Sequence, residues 1–270
     1  MKSIYVALLS CVLGFGLCSG AQAQLAPHDA QGLTMGHMHL AAKDAEGMRK
    51  FFVSLGGVPL AIRADLIMFP GVGIVVREGG DSPPTGGTAG STVNHIAFAV
   101  KSMKEARAKW DAAGVQWERG AEPTRGFVVA PEGVRVEIIE NPQITAPIKF
   151  DHIHVFSDAA PAEVQAWYAK TFGINPGKQG GLETANMPGG HVSFSESEVS
   201  MVGTKGRALD HIGFDVKNLE QYVKALESRG VKFERGYSKI PKPVTTTATA
   251  FILDPWGTYI ELTQDMEGTK

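Results

Sequence analysis

Three short motifs occur twice in the chain, and each carries a side chain able to bind a metal ion. Met35-Gly36-His37-Met38-His39-Leu40 is matched by Phe150-Asp151-His152-Ile153-His154-Val155. Val93-Asn94-His95-Ile96-Ala97-Phe98 is matched by Leu209-Asp210-His211-Ile212-Gly213-Phe214. Ala130-Pro131-Glu132-Gly133-Val134-Arg135-Val136-Glu137 is matched by Asp254-Pro255-Trp256-Gly257-Thr258-Tyr259-Ile260-Glu261. His152 follows its counterpart by 115 residues, His211 by 116 and Glu261 by 124. The chain is therefore a duplication, with extra residues ahead of the last strand of the second half. Each half offers two histidines and a glutamate: His37, His95 and Glu137, then His152, His211 and Glu261. Two neutral imidazoles and one carboxylate on one side of an ion leave its other positions free for water or substrate. Such facial sites suit Fe(II) and also hold Mn, Ni, Co or Zn. A substrate with two adjacent oxygens could chelate the open positions, with the ion stabilising a developing enolate or catecholate.

The elements that must position these groups are legible around them. Side chains alternate across a strand, so His152 and His154 share one face while Ile153 and Val155 pack on the other. His211 shares a face with Gly213 and Asp215, and Glu261 shares one with Tyr259. Each histidine strand precedes an amphipathic helix. One runs from an Asp44 cap through Met48, Phe51, Phe52 and Leu55 to Gly56-Gly57, and its counterpart carries Val164, Trp167, Tyr168 and Phe172 before Gly173. Ser102 and Glu105 form a capping box for a helix that stops at Gly114. Asn218 caps another, with Leu219, Tyr222, Val223 and Leu226 on one face and Gly230 beyond its end. Short strands such as Gly73–Val76, Phe127–Val129, Val199–Val202 and Ala250–Leu253 lie between helices, and Gly79 to Ser91 reads as a loop. The expected fold class is α+β: a duplicated domain of four βαβββ modules forming two open, half-barrel-like sheets with helices on the outside. Residues 34–142 form the first domain and 150–265 the second, joined by the linker 143–149. Modules of one half are expected to pair, bringing His152, His211 and Glu261 into one cavity and repeating the set with His37, His95 and Glu137.

A lone strand histidine is more often structural than a ligand, and duplication copies idle residues along with useful ones. The recurrence therefore counts as one signal, not two. Candidate catalytic groups beside the ligands are His154, His191 and Tyr259. His39 and His154, two residues past the ligand positions, could hold the ligands in place, carry protons or simply line a polar wall. His28, in the tail 24–33, reads as solvated.

Apolar residues make up 43% and charged residues 20% of the 270, with a formal net charge of −2. Without a basic run, nothing points to nucleic acid or an anionic membrane as partner. Residues 1–23 read as a signal peptide: Lys2, the apolar stretch Ile4 to Leu17, then Ala21-Gln22-Ala23. The expected destination is the periplasm or beyond. Cys11 and Cys18, the two cysteines of the chain, both lie there, so the mature protein lacks disulfides and thiolate chemistry. The expected partner is a small-molecule substrate, with no membrane association after cleavage and a monomeric or homodimeric state.

At these motifs the sequence resembles the vicinal-oxygen-chelate superfamily, which includes glyoxalases, extradiol dioxygenases and bleomycin- or fosfomycin-resistance proteins. The resemblance covers about Thr34 to Gln264 and implies a divalent metal (Fe, Mn, Ni, Co or Zn) and a lyase, isomerase or dioxygenase reaction. His152, His211 and Glu261 match the iron ligands of extradiol dioxygenases, but Phe251 stands where that family has a tyrosine, and Pro243 to Thr247 lacks its histidine. Glyoxalases of the lactoylglutathione lyase type add a second carboxylate ligand, which neither Gly73–Val76 nor Val199–Val202 supplies. The alternative function is that of the bleomycin-resistance type, sequestration of a small molecule without catalysis. The richer motifs favour the second half as the active site.

Overall fold

The computed structural model describes residues 24–79, 83–118, 120, 122–241 and 245–268. The segment 1–23, read above as a signal peptide, lies outside them.

The first module comprises β1 (Leu33–Ala42), α1 (Ala45–Leu55), β2 (Val58–Leu60), β3 (Arg63–Phe69) and β4 (Val72–Glu78). The second comprises β5 (Val93–Val100), α2 (Met103–Ala112), β6 (Arg125–Ala130) and β7 (Val134–Glu140). Its remaining strand is reduced to a bridge between Trp117 and Val128. The third has β8 (Ile148–Ser157), α3 (Pro161–Phe172), β9 (Asn175–Gln179), β10 (Leu182–Met187) and β11 (Gly190–Glu196). The fourth has β12 (Leu209–Val216), α4 (Leu219–Ser228), β13 (Arg235–Lys239), β14 (Ala248–Leu253) and β15 (Tyr259–Gln264). The helices begin and end where their caps dictate. Asp44 Oδ1 accepts from Gly47 N at 2.8 Å, Ser102 Oγ from Glu105 N and Asn218 Oδ1 from Gln221 N, each filling an otherwise orphaned donor. Pro161 opens α3, and Gly173, at φ 70°, closes it in the left-handed conformation that glycine adopts without strain.

Two open, mixed sheets result. One has eight strands in the order β13-β14-β15-β12-β1-β4-β3-β2; the other has seven, β6-β7-β5-β8-β11-β10-β9. Each sheet takes one module from each half of the chain, not two from the same half. The expected pairing is therefore exchanged: the first module pairs with the fourth and the second with the third. The reason lies in the joints. The segment 141–147 is short and wraps the end of β5: Asn141 N donates to Val100 O and Lys101 N to Pro147 O. It delivers β8 antiparallel to β5, with Val100 opposite Ile148. The joints inside each half, 79–92 and 197–208, are longer. The stretch Val199–Val202 is one of these joints, with Val199 66% exposed, and not the expected strand. From the same joint, Arg207 fixes the other loop by donating from Nε and Nη2 to Gly87 O.

One buried apolar cluster runs through both sheets and all four helices. Phe52 of α1, Phe69, Phe98 and Phe150 form a continuous aromatic chain from one sheet to the other. Phe172 of α3 meets Phe214 of the eight-stranded sheet. Burial of each such ring stabilises the fold by roughly 1.5–3 kcal/mol. Because strands alternate, the opposite face of each sheet is free for polar groups: Met38 and Leu40 enter the core while His37 and His39 face away from it.

Candidate metal centres

The register places a cluster on the polar face of each sheet. In the eight-stranded sheet β1 and β12 pair antiparallel, with His37 opposite Gly213 and His39 opposite His211; β15 joins parallel, with Glu261 opposite Gly213. Glu261 Oε2 consequently lies 2.9 Å from His37 Nε2 and 3.0 Å from His211 Nε2, and His39 Nδ1 lies 3.1 Å from His211 Nε2. Asp210 Oδ1 accepts from His211 Nδ1 at 2.6 Å. Gly213 makes this arrangement possible, because a Cβ there would sit 2.2 Å from the His37 ring.

The electrostatics follow from burial and these contacts. Burial would raise the Glu261 carboxyl, yet hydrogen bonds with His211 and His37 outweigh it and hold the pKa far below the usual carboxylate range. His211 is desolvated as well, but Asp210 and Glu261 raise it above an ordinary histidine. Burial lowers His37, and burial with neighbouring His211 and His37 takes His39 down to about 2.

In the seven-stranded sheet the same positions recur. β5 and β8 pair antiparallel with His95 opposite His154 and Ala97 opposite His152, and Glu137 of β7 lies opposite Ala97. Glu137 Oε2 is 3.4 Å from His95 Nε2 and 3.5 Å from His152 Nε2. Its other oxygen accepts from Arg125 Nε. Asn94 holds His95 Nδ1 at 3.0 Å, Asp151 holds His152 Nδ1 at 2.7 Å, and Ser195 Oγ holds His154 Nε2 at 2.8 Å. His191 stacks on His152 with ring centroids 5.0 Å apart. Burial opposes ionisation of Glu137, but His95 and Arg125 bring its pKa down to about 2. Burial lowers His154 to about 3 and, with His152, lowers His191 to about 4.

All six ligand candidates thus belong to a cluster, but with exchanged partners. His152 does not meet His211 and Glu261; it stands in the other sheet with His95 and Glu137, while His37 completes the set with His211 and Glu261. His154 and His191 go with His152, whereas Tyr259 lines the approach to the first cluster. His28 is not simply solvated: its Nε2 lies 3.0 Å from Asp215 Oδ2. Residue-type reasoning missed Arg125 and the outer partners Asn94, Asp151 and Asp210. A local signal for the latter exists, since each immediately precedes a ligand histidine. Gly36 precedes His37 instead, because β1 runs so close to β12 that a Cβ would fall 2.9 Å from Asp215 N and Gly213 O. His37 Nδ1 is accordingly buried without a partner.

Both donor sets suit a divalent ion. With Asp210 accepting from His211 Nδ1, Nε2 is the nitrogen turned toward Glu261, and a divalent ion would take it as a ligand by displacing its proton. In the second cluster His95 Nε2, His152 Nε2, His154 Nδ1 and Glu137 Oε2 are all buried without hydrogen-bond partners.

A cavity of about 440 Å³ opens onto the first cluster. Phe251 and Tyr259 stack 5.0 Å apart along its wall, both edge-on to His211. Arg235 lies over Phe251 and Lys205 over Tyr259. Arg63 and Arg77 line it too, sharing Asp65. Ile240 and Thr246, from the extra residues before the last strands, complete the rim.

Residues 116–262 match the family model described as Glyoxalase/Bleomycin resistance protein/Dioxygenase superfamily. Among solved structures the chain is similar to glyoxalase I from Zea mays at 15% identity, covering 87% of this chain and 93% of that one with a TM-score of 0.64. A glutamate-to-glutamine mutant of the maize enzyme gives 14% identity, 87% and 95% coverage and a TM-score of 0.65. A provisionally named dioxygenase from Bacillus subtilis subsp. subtilis str. 168 gives 14%, 87%, 86% and 0.60. These likenesses establish the fold. No curated protein matches the sequence.

Proposed function

The chain belongs to the glyoxalase/bleomycin resistance protein/dioxygenase superfamily, and from that premise we propose that it is a metal-dependent enzyme whose active site is the cluster of His37, His211 and Glu261. Its substrate on this reading is a small molecule with adjacent oxygens, and the reaction is that of a lyase, isomerase or dioxygenase. The observation that carries the proposal is the cavity of about 440 Å³ whose floor is this ligand set. A divalent ion held there would act as a Lewis acid toward substrate oxygens.

The surrounding residues supply binding and orientation. Phe251 and Tyr259 offer an aromatic wall for a planar or apolar part of the substrate. Arg235 has no carboxylate partner among the described residues and is placed to meet anionic oxygen. Asp210 holds the His211 proton on Nδ1 and so fixes which nitrogen faces the cavity. Burial and the neighbouring imidazoles lower His39 to about 2 and keep it neutral, so it presents a lone pair to the cluster and not a positive charge. Val75 stands opposite His39 in the register that Glu261 occupies opposite Gly213, so His39 fills the space of a second carboxylate ligand. This favours chemistry on a ligand set of imidazoles and one glutamate.

Export to the periplasm belongs to the same proposal and rests on residues 1–23. Amino-terminal sequencing of the protein recovered from cell fractions tests it, with cleavage expected before Gln24. The enzymatic reading is tested by metal analysis of the purified protein, then a turnover screen over diols, catechols and α-hydroxy carbonyls. Turnover that requires metal and disappears in Glu261→Gln supports it; ligand binding without metal and without turnover replaces it with sequestration.

A further inference from the structure

We propose that the hollow between α1, α2 and the joint 141–147 binds a small phenol, which takes the place that the ring of Tyr222 fills in the other half of the chain. The proposal is independent of the active-site assignment. The hollow lies on the apolar, helix-bearing side of the sheets and shares no residue with either histidine cluster or with the cavity above Glu261.

The duplication aligns the two halves residue by residue around this point. Val100 ends β5, Ser102 caps α2 and Gly114 follows it; Val216, Asn218 and Gly230 do the same for β12 and α4, each 116 residues later. Ala106 of α2 therefore stands where α4 has Tyr222. Leu55-Gly56, at the end of α1, stands where α3 ends in Phe172-Gly173. Ala146, ahead of β8, stands where Gln31 precedes β1.

In the second half the tyrosine ring bridges two helices. Its hydroxyl donates to Phe172 O at 2.9 Å, which satisfies a carbonyl that the end of α3 leaves without an intrahelical donor. The hollow outside that ring is lined by Gln31, Val216, Asn218 and Tyr222, and it stops short of Phe172 and Gly173. In the first half Ala106 offers a single methyl group. The equivalent cavity, of about 490 Å³, is lined by Val100, Ser102, Ala106 and Ala146 and continues inward to Leu55 and Gly56. Leu55, Trp110 and Ile148 in its lining are each at most 6% exposed, whereas Lys101, Glu105 and Lys109 form an exposed rim. Concave apolar walls with one or two polar groups are what small-molecule sites require. A phenol meets both demands at once. Its ring displaces water from Leu55, Trp110 and Ile148, and its hydroxyl donates to the end of α1 as Tyr222 donates to the end of α3. Because α1, α2 and the joint all contribute, a bound phenol stabilises the folded chain.

Fluorine NMR of para-fluorophenol added to the wild-type protein tests the assignment. The expected result is a line broadened and shifted by the protein, with a weaker response from para-fluorotoluene, which keeps the ring and lacks the hydroxyl. In Ala106→Tyr the chain supplies its own ring, so the phenol response should vanish and the protein should melt higher than wild type. The proposal is overturned if wild-type protein gives no response, or if para-fluorotoluene responds equally. A response unchanged in Ala106→Tyr, as a phenolate on an active-site ion would give, overturns it too. So does a lower melting temperature for Ala106→Tyr that is folded by circular dichroism, because the space would then not fit a tyrosine. If that variant does not fold, Ala106→Leu serves for the same binding comparison.

Discussion

The two clusters use the same residue types at the same register positions, yet their surroundings differ. His37, His39, His211 and Glu261 correspond to His152, His154, His95 and Glu137, strand by strand. In the first, Gly213 leaves room for an imidazole packed against backbone, and arginines and aromatic rings frame a cavity. In the second, Ala97 occupies the glycine position, Asp151 supports the histidine that Gly36 leaves unsupported, and Arg125 closes over the carboxylate. Strand register determines which atoms converge. The side chains around them determine what can approach that point.

The sharpest way to break this comparison is to remove one carboxylate from each side. Glu261→Gln should eliminate turnover and weaken the first site by more than the about 10–100-fold that loss of an outer partner costs. Glu137→Gln should instead lower the melting temperature while turnover persists. Equal loss of turnover in both would erase the distinction. Next in size are the outer partners: Asp210→Asn and Asp151→Asn should each reduce metal affinity about 10–100-fold, at the first and second site respectively. Competition against a chromogenic chelator, read on each variant, checks the site selectivity.

A smaller effect is expected from the glycine position. Gly213→Ala drives a methyl group into the His37 ring and should destabilise the protein by about 1–3 kcal/mol, with loss of metal at the first site alone. The reverse exchange, Ala97→Gly, should cost about 0.5–1 kcal/mol and leave the second site loaded. Denaturant titration with metal analysis measures both. The smallest predicted effect is a pH slope in the metal-free protein. His154 and His191 have folded pKa values lowered by burial to about 3 and about 4, beneath the ordinary histidine value of 6.5. Unfolding therefore takes up protons at mildly acidic pH, so their contribution to stability is complete above about pH 6.5 and declines as pH falls toward 4. Thermal melts of chelated protein between pH 7 and 5 should show a falling melting temperature, less steep in His191→Gln. A melting temperature that rises over this interval would contradict the assignment of buried, neutral imidazoles.

Local features were readable from residue type and order. Asp44, Ser102, Asn218 and Gly173 bound their helices where capping chemistry places them, and alternation separated His152 and His154 from the core residues Ile153 and Val155. The partnership of modules was not visible in the motifs, because duplicated motifs say nothing about which copies meet. The brevity of 141–147 carries that information, since a short joint obliges consecutive modules to lie side by side. Val199–Val202 failed as a strand for a related reason: a run of apolar residues satisfied the pattern, while the chain had already completed its sheet at Glu196. Arg125 escaped notice because its link to Glu137 arises from hairpin pairing, with Phe127 opposite Glu137, not from spacing in a motif.

The nesting of one sheet's strands inside the sequence span of the other has a consequence for biosynthesis. Residues 93–196 contain every strand of the seven-stranded sheet, so that sheet can assemble once Glu196 is available. β1, by contrast, can pair with β4 at once but must wait for β12 to fill its other edge and for β15 to complete its ligand set. Such distant pairing slows folding. It also means that cutting the chain at its apparent midpoint separates both pairs of modules at once, so a fragment ending near residue 142 would leave one edge each of β1 and β5 open to other polypeptides.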